Sequence, residues 1–404
     1  MSDNLLMSLA TDFFQNSLDT SPTSAIMRGH KKYFDQIEQL TVDQFEREEE
    51  IVDSFIKRLN AIDQNKLTNR EKVTHGMLEF ALSSNKDSLL DRNWEFGAGV
   101  SGFTGFLIDY NQQMFIPDSE SADMMLKRLE LYKRLYTQIA EVQKVGLNNN
   151  RVATERNLLR TIDQLENYLA SSLDQDPLLL VNFSPEISDK EISEWKDKAI
   201  NIIDSNIRPS VSAYLDQLKT DHLPKGRGDD KCGIMWIDGG EESYLRSLRK
   251  YTGHKDTTVK EVHEIGLSEI ERLKKEFFEI GKNVFDGVDT PEDVIHKMQT
   301  EPSMRYESKE QMLQLAIDTI ERAYKPLDQW FTVFPNLHVK FSQYLLNPSN
   351  MLHLLITTHL YQMDQEMVLI FSILIKQKQK ASLRLNPLLF MRLYLDTILI
   401  EPLP

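Results

Sequence analysis

The sequence predicts an all-α protein, mostly helical with few short strands, on three observations. Apolar residues recur at steps of three and four through most of the chain. N-terminal capping signals stand ahead of those stretches, and strand-like alternation is almost absent. With 404 residues and 47.0 kDa, the chain suits two domains or one large helical body.

The spacing predicts helices over about 4–18, 41–62, 68–84, 119–147, 150–172, 188–220, 240–251, 258–281, 290–299 and 308–330. In the second of these, Phe45, Ile51, Val52, Phe55, Ile56 and Leu59 form the stripe a core-facing helix needs. Ser188-Asp189-Lys190-Glu191 and Thr258-Val259-Lys260-Glu261 are capping boxes, in which hydroxyl and carboxylate each satisfy an orphan N–H. Ser308-Lys309-Glu310-Gln311 repeats the pattern before Met312, Leu313, Leu315, Ala316 and Ile320. Thr290-Pro291-Glu292-Asp293 places proline at the first helical position, where its missing donor costs nothing. The helix from Thr258 carries Val262, Ile265, Ile270, Leu273, Phe277 and Ile280, and is expected to end in a left-handed cap at Gly281. Gly233-Ile234-Met235-Trp236-Ile237 is the best strand candidate. The 221–230 segment, with Pro224, Gly226 and Gly228, is the clearest interior loop and the expected hinge.

Composition narrows the function. At 41% hydrophobic and 27% charged, the chain belongs to a soluble globular class. Lys+Arg 47 against Asp+Glu 62 gives a formal charge of −15, which repels phosphate backbones and argues against nucleic-acid binding. The single Cys232 can form neither an intrachain disulfide nor a cysteine zinc site. Met1-Ser2-Asp3-Asn4 lacks the basic start of a signal peptide, and no stretch reaches the roughly 18 apolar residues of a membrane span. These readings predict a cytoplasmic protein.

Local motifs yield little chemistry. His263-Glu264 opens like the zinc-peptidase pattern H-E-x-x-H, in which two histidines four apart hold zinc and the glutamate activates water. The fifth position is Leu267, so the pair reads as an ordinary polar helix face. Arg227-Gly228-Asp229 reads as a polar turn. Gly239-Gly240 before a helix offers free N–H groups to an anion, although a tight turn is the commoner reason for such a pair. Histidines 30, 75, 222, 254, 263, 296, 338, 353 and 359 include no pair three or four apart. Cys232, with nothing nearby in sequence to lower its pKa, reads as a small buried residue rather than a nucleophile. No catalytic, cofactor-binding or metal-binding residue is assigned.

A resemblance goes further. Phe13-Phe14, then Ser21-Pro22-Thr23-Ser24 and Gly29-His30, resembles the opening of the bacterial family called domain of unknown function 885. Gly240-Glu241-Glu242-Ser243-Tyr244, Leu248, Tyr251-Thr252 and Val262-His263-Glu264-Ile265-Gly266-Leu267 resemble its central signature. The resemblance covers about residues 5–340. It implies the helical part of a zincin-like zinc metallopeptidase that cleaves peptide bonds. Intact members are implied to carry a D-G-S-R-x-G segment and then H-E-x-x-P-G-H-H, whose two histidines and a downstream acid hold zinc. Neither motif is present in this sequence.

Residues 341–404 differ from the rest, with 22 Leu+Ile in 64 residues, one alanine (Ala381) and no glycine. Such a run suits a buried helical hairpin or a membrane-associated pair, but lysines and arginines interrupt it. The genetic code offers a sharper account. If each codon takes the last base of one residue and the first two of the next, Met363-Asp364-Gln365-Glu366-Met367-Val368 becomes (Asn/Asp)-Gly-(Ser/Pro)-(Arg/Gly)-(Asn/Asp)-Gly. Both glycines are forced, because methionine has one codon. The same shift lets the stretch from Met391 to Ile398 read H-E-A-I-P-G-H-H, and Ile356-Thr357-Thr358 read as three tyrosines. Both missing motifs return in order in one frame, which places a break between Lys340 and Met351. The expected organisation is therefore a family-like region over 1–340 and an out-of-frame tail over 341–404. The chain as written is then inactive, metal-free, and left with an exposed apolar face and aggregation-prone runs such as 368–375. The rival reading is a non-enzymatic helical interaction protein whose tail is a docking element. A peptidase using an unrecognised site in the first 340 residues is a third.

Overall fold

A computed structural model describes residues 2–97, 111, 114–304, 308–325, 329, 337–344, 357–363 and 366–374. Within them the protein is mostly helical and divides into two compact units, Met1–Thr257 and Thr258–Pro404.

The first unit opens with α1 (Ser2–Thr20), α2 (Pro22–Met27), α3 (Val42–Asn60) and α4 (Asn69–Asp91). Helices α1, α3 and α4 close a small core of Leu6, Leu9, Val52, Phe55, Leu78 and Leu82. The α3 stripe read from the sequence is divided: Val52, Phe55 and Leu59 are buried, while Ile51 stays exposed. Helices α5 (Ser119–Glu130), α6 (Tyr132–Asn148), α7 (Glu155–Ala170), α8 (Asp189–Ile202) and α9 (Arg208–Gln217) surround a larger core that includes Met125, Leu135, Ile162, Trp195 and Val211. A two-residue parallel pair, β1 (Phe115–Ile116) with β2 (Asn182–Phe183), borders it. The helix α10 (Gly240–Thr252) packs on α4.

Several boundaries differ from those read in the sequence. The 119–147 helix is interrupted at Leu131, beside the point where Asn206 donates its side-chain N–H to the Glu130 carbonyl at 2.9 Å. The 188–220 helix runs on through two π turns, Ile203–Ile207 and Leu218–His222, ahead of Pro209 and Pro224. A proline removes one N–H from the ladder, and the wider turn absorbs the loss. The strand expected over 233–237 is absent: Ile234–Trp236 is a single 3₁₀ turn. Gly281 is no left-handed cap. It lies inside α11 (Val259–Val284), where an added Cβ would fall 2.3 Å from a Val294 methyl of α12 (Pro291–Thr300).

The 221–230 segment lies inside the first unit and is fastened there. Arg227 Nε donates to the Val152 carbonyl at 2.8 Å, its Nη1 donates to those of Lys231 and Gly233, and its backbone pairs with Ala153 and Glu155.

The second unit holds α11, α12 and α13 (Lys309–Tyr324), then three strands, β3 (Leu337–Tyr344), β4 (Thr357–Met363) and β5 (Glu366–Leu374). β5 is central, parallel to β3 and antiparallel to β4. No helix among the described residues is long and apolar enough to cross a membrane.

Candidate functional site

The signature residues from Gly240 to Thr252 form α10, and beneath its first turns lies a buried charge cluster. Gly239 takes a left-handed conformation (φ +70°), and Gly240 follows under the Ile234 carbonyl, where a Cβ would stand 1.8 Å from the oxygen. The Gly-Gly pair therefore serves a tight turn. From α10, Arg246 Nε donates to Asp91 Oδ1 at 2.6 Å, and its Nη2 donates to Ser243 Oγ at 3.2 Å. Arg151, 2% exposed, meets the Glu95 carboxylate, 3% exposed, with 2.6 Å between Nε and Oε2. The N–H does not aim along that line, so the contact is an ion pair rather than an aligned hydrogen bond. The other two nitrogens of Arg151 donate to the Asp91 and Asp238 carbonyls. Burial lowers the Arg151 pKa, with Glu95 opposing the shift.

Two carboxylates and three guanidiniums are thus brought together from α4, the loop after it, the approach to α7, and α10, with Arg92 Nη1 3.2 Å from Glu95 Oε1. The guanidiniums outnumber the carboxylates by one, and the hydroxyl among these contacts, Ser243 Oγ, accepts from Arg246. The arrangement ties helix ends together. Sequence reading missed it, because a charged residue next to an apolar run, such as Arg151 before Val152-Ala153, reads as surface.

The opening signature is also structural. Pro22 begins α2, and Thr23 gives its backbone N–H and its hydroxyl to the two Glu38 oxygens at 2.9 and 2.8 Å. Arg128 Nη2 donates to Thr23 Oγ1 at 2.6 Å. Phe13 stands edge-on to Phe55, and Phe14 to His30, whose pKa is lowered by burial and by Arg28 and Lys32. Close by, a cavity of about 180 Å³ is lined by Asp19, Asp35, Gln36, Glu48 and Arg134 among others. Burial raises the Glu48 pKa, opposed by a hydrogen bond from Gln44. Among the described residues, no histidine, cysteine or serine lines it.

The remaining candidates are scattered. His263 and Glu264 lie exposed on α11, with Glu264 near Lys260 at 3.7 Å, as an ordinary polar face requires. Asp229 of the Arg-Gly-Asp turn pairs with Arg156. Cys232 is exposed, not the buried residue expected, in the 3₁₀-turn segment that follows the loop of Arg227. His353 and the region of the shifted second motif, 391–398, lie outside the described residues. Among the described residues, no three His, Cys, Asp or Glu side chains come together as a metal would require.

Fold and contacts define a helical body held by buried polar ties. A family model described as "Bacterial protein of unknown function (DUF885)" matches residues 22–344, and the chain belongs to that family. No curated protein matches it. Two solved structures share the fold. One, described as a "putative lipoprotein" from Colwellia psychrerythraea, is 16% identical with a TM-score of 0.79, over 94% of this chain and 68% of that one. The other, a "putative lipoprotein of unknown function" from Shewanella oneidensis, is 17% identical with a TM-score of 0.55, over 83% of this chain and 60% of that one.

Proposed function

We propose that this chain is the helical part of a zinc metallopeptidase-like protein whose metal-binding segment is written out of frame, and that as written it holds no zinc and cleaves no peptide. The observation that carries the reading is where the family match ends. It stops at Tyr344, inside the 340–351 window in which the shifted frame must begin. The described residues supply no ligand set of their own, so no catalytic step is derived from them.

The test is one inserted nucleotide between codons 340 and 351 of the natural gene, reading on to the next stop. Both proteins are then assayed for bound zinc and for chelator-sensitive cleavage of an unstructured peptide. Stoichiometric zinc and activity in the restored protein only are expected. Zinc or activity in the chain as written overturns the proposal, as does a restored frame that closes within a few codons. That last outcome would favour the helical interaction protein.

A further inference from the structure

Helix α11 carries an apolar stripe that nothing in the described structure covers. Ile270, Leu273, Ile280 and Val284 are 49, 51, 56 and 59% exposed, with Phe277 half-buried between them. Their spacing alternates three and four, which is the a and d pattern of a coiled coil. Val259, Val262 and Gly266 continue the stripe toward the N-terminus. One four-residue step follows Gly266, a stutter that a supercoil absorbs by local unwinding. Gly266 has open space about it and offers a close approach. Helix α12 occupies one flank, at Gly281, and leaves the stripe itself free.

We propose that this face is the interface of a parallel homodimer, in which α11 of one copy lies against α11 of a second copy of this chain. The flanking charges favour a second copy in one direction, once Glu269 and Lys274 exchange their own-helix partners, Arg272 and Glu271, for each other across the seam. In this register Glu269 and Glu276 take g positions and Lys274 takes e. In a parallel pair, Glu269 of each copy meets Lys274 of the other, on both sides of the seam. An antiparallel pair sets glutamate against glutamate and lysine against lysine. A parallel two-fold contact is also closed, so it yields a dimer rather than a filament. At 26 residues, α11 extends about 39 Å, enough for three heptads. The inference concerns the chain as written, and the sequence of α11, upstream of Lys340, is the same in either frame.

The test is sedimentation equilibrium of the soluble full-length chain. Twice 47.0 kDa is expected. The Leu273→Glu/Ile280→Glu variant should sediment as a single chain with unchanged far-UV circular dichroism. Glu269→Lys and Lys274→Glu should each weaken association about tenfold, and the two together should restore it to within about twofold. A monomeric parent overturns the proposal, as does an assembly that survives Leu273→Glu/Ile280→Glu. If the swapped pair of charges fails to restore association, the parallel arrangement falls. None of these outcomes depends on zinc, so a failure here is distinct from a failure of the frame reading.

Discussion

Gly146 shows how one hydrogen in place of a methyl decides a packing contact. It lies in α6 against the backbone of Glu95, and a Cβ there would stand 2.2 Å from the Glu95 carbonyl oxygen. Gly146→Ala gains about 1 kcal/mol of helix propensity, but the atom it meets is backbone and cannot swing aside. A net loss of about 2 kcal/mol is expected in urea denaturation. The buried charges predict a larger effect. Arg151→Met leaves Glu95 with only Arg92, 3.2 Å away and half-exposed, and should cost about 3–5 kcal/mol. Neither residue was legible in the sequence. A glycine inside a helical stretch and an arginine at its end look ordinary until the chain segment from 91 to 96 is brought across them.

At the scale of elements the local signals were legible and the distant ones were not. Ser188 with Glu191 and Thr258 with Glu261 form the capping boxes read from their spacing, Ser308 accepts from the Gln311 N–H as expected, and Thr290 with Asp293 adds a box where only the proline start was read. Such a box depends on four consecutive residues. The break at Leu131 depends on Asn206, 75 positions away, and the lost strand at 233–237 depends on a turn closing beneath Gly240. Caps also make a pH prediction. Asp118 begins α5 by accepting from Ser121 N–H at 2.9 Å, and the Lys31 ammonium beside it, with that cap, holds its pKa down at about 2. A depressed carboxylate pKa contributes stability above the unfolded value of about 3.9, and that contribution is lost as pH falls toward 2. Both groups are well exposed, so solvent screens the ion pair and the cap is the larger part. Asp118→Ala should cost about 1 kcal/mol at pH 7. Urea titrations at descending pH should show the gap between parent and variant narrowing only below about pH 4.

The whole molecule combines a body that reads as helical from its own periodicity with a Leu/Ile-rich tail of different composition. Family membership was legible through Gly240, Tyr244, Tyr251 and the run from Val262 to Leu267, and the matched region bears it out. What those residues do was not legible. Tyr244 and Tyr251 lie exposed, and Gly240 serves a turn. The division at Thr257 yields a last prediction. Both apolar cores are built wholly from residues between Leu6 and Leu218, and the buried ties of Arg151, Arg246 and Thr23 also close within the first unit. Hydrophobic burial is the dominant favourable term of folding, so the fragment Met1–Thr257 carries what it needs to fold alone. It should show a helical far-UV spectrum and a single cooperative melt, with a midpoint within about 4 °C of the first-unit transition in the full chain. That interval corresponds to roughly 1 kcal/mol for a domain of this size. A fragment that is helical but melts without cooperativity would show that residues beyond Thr257 hold the cores together. The two units would then melt as one cooperative unit rather than as separate ones.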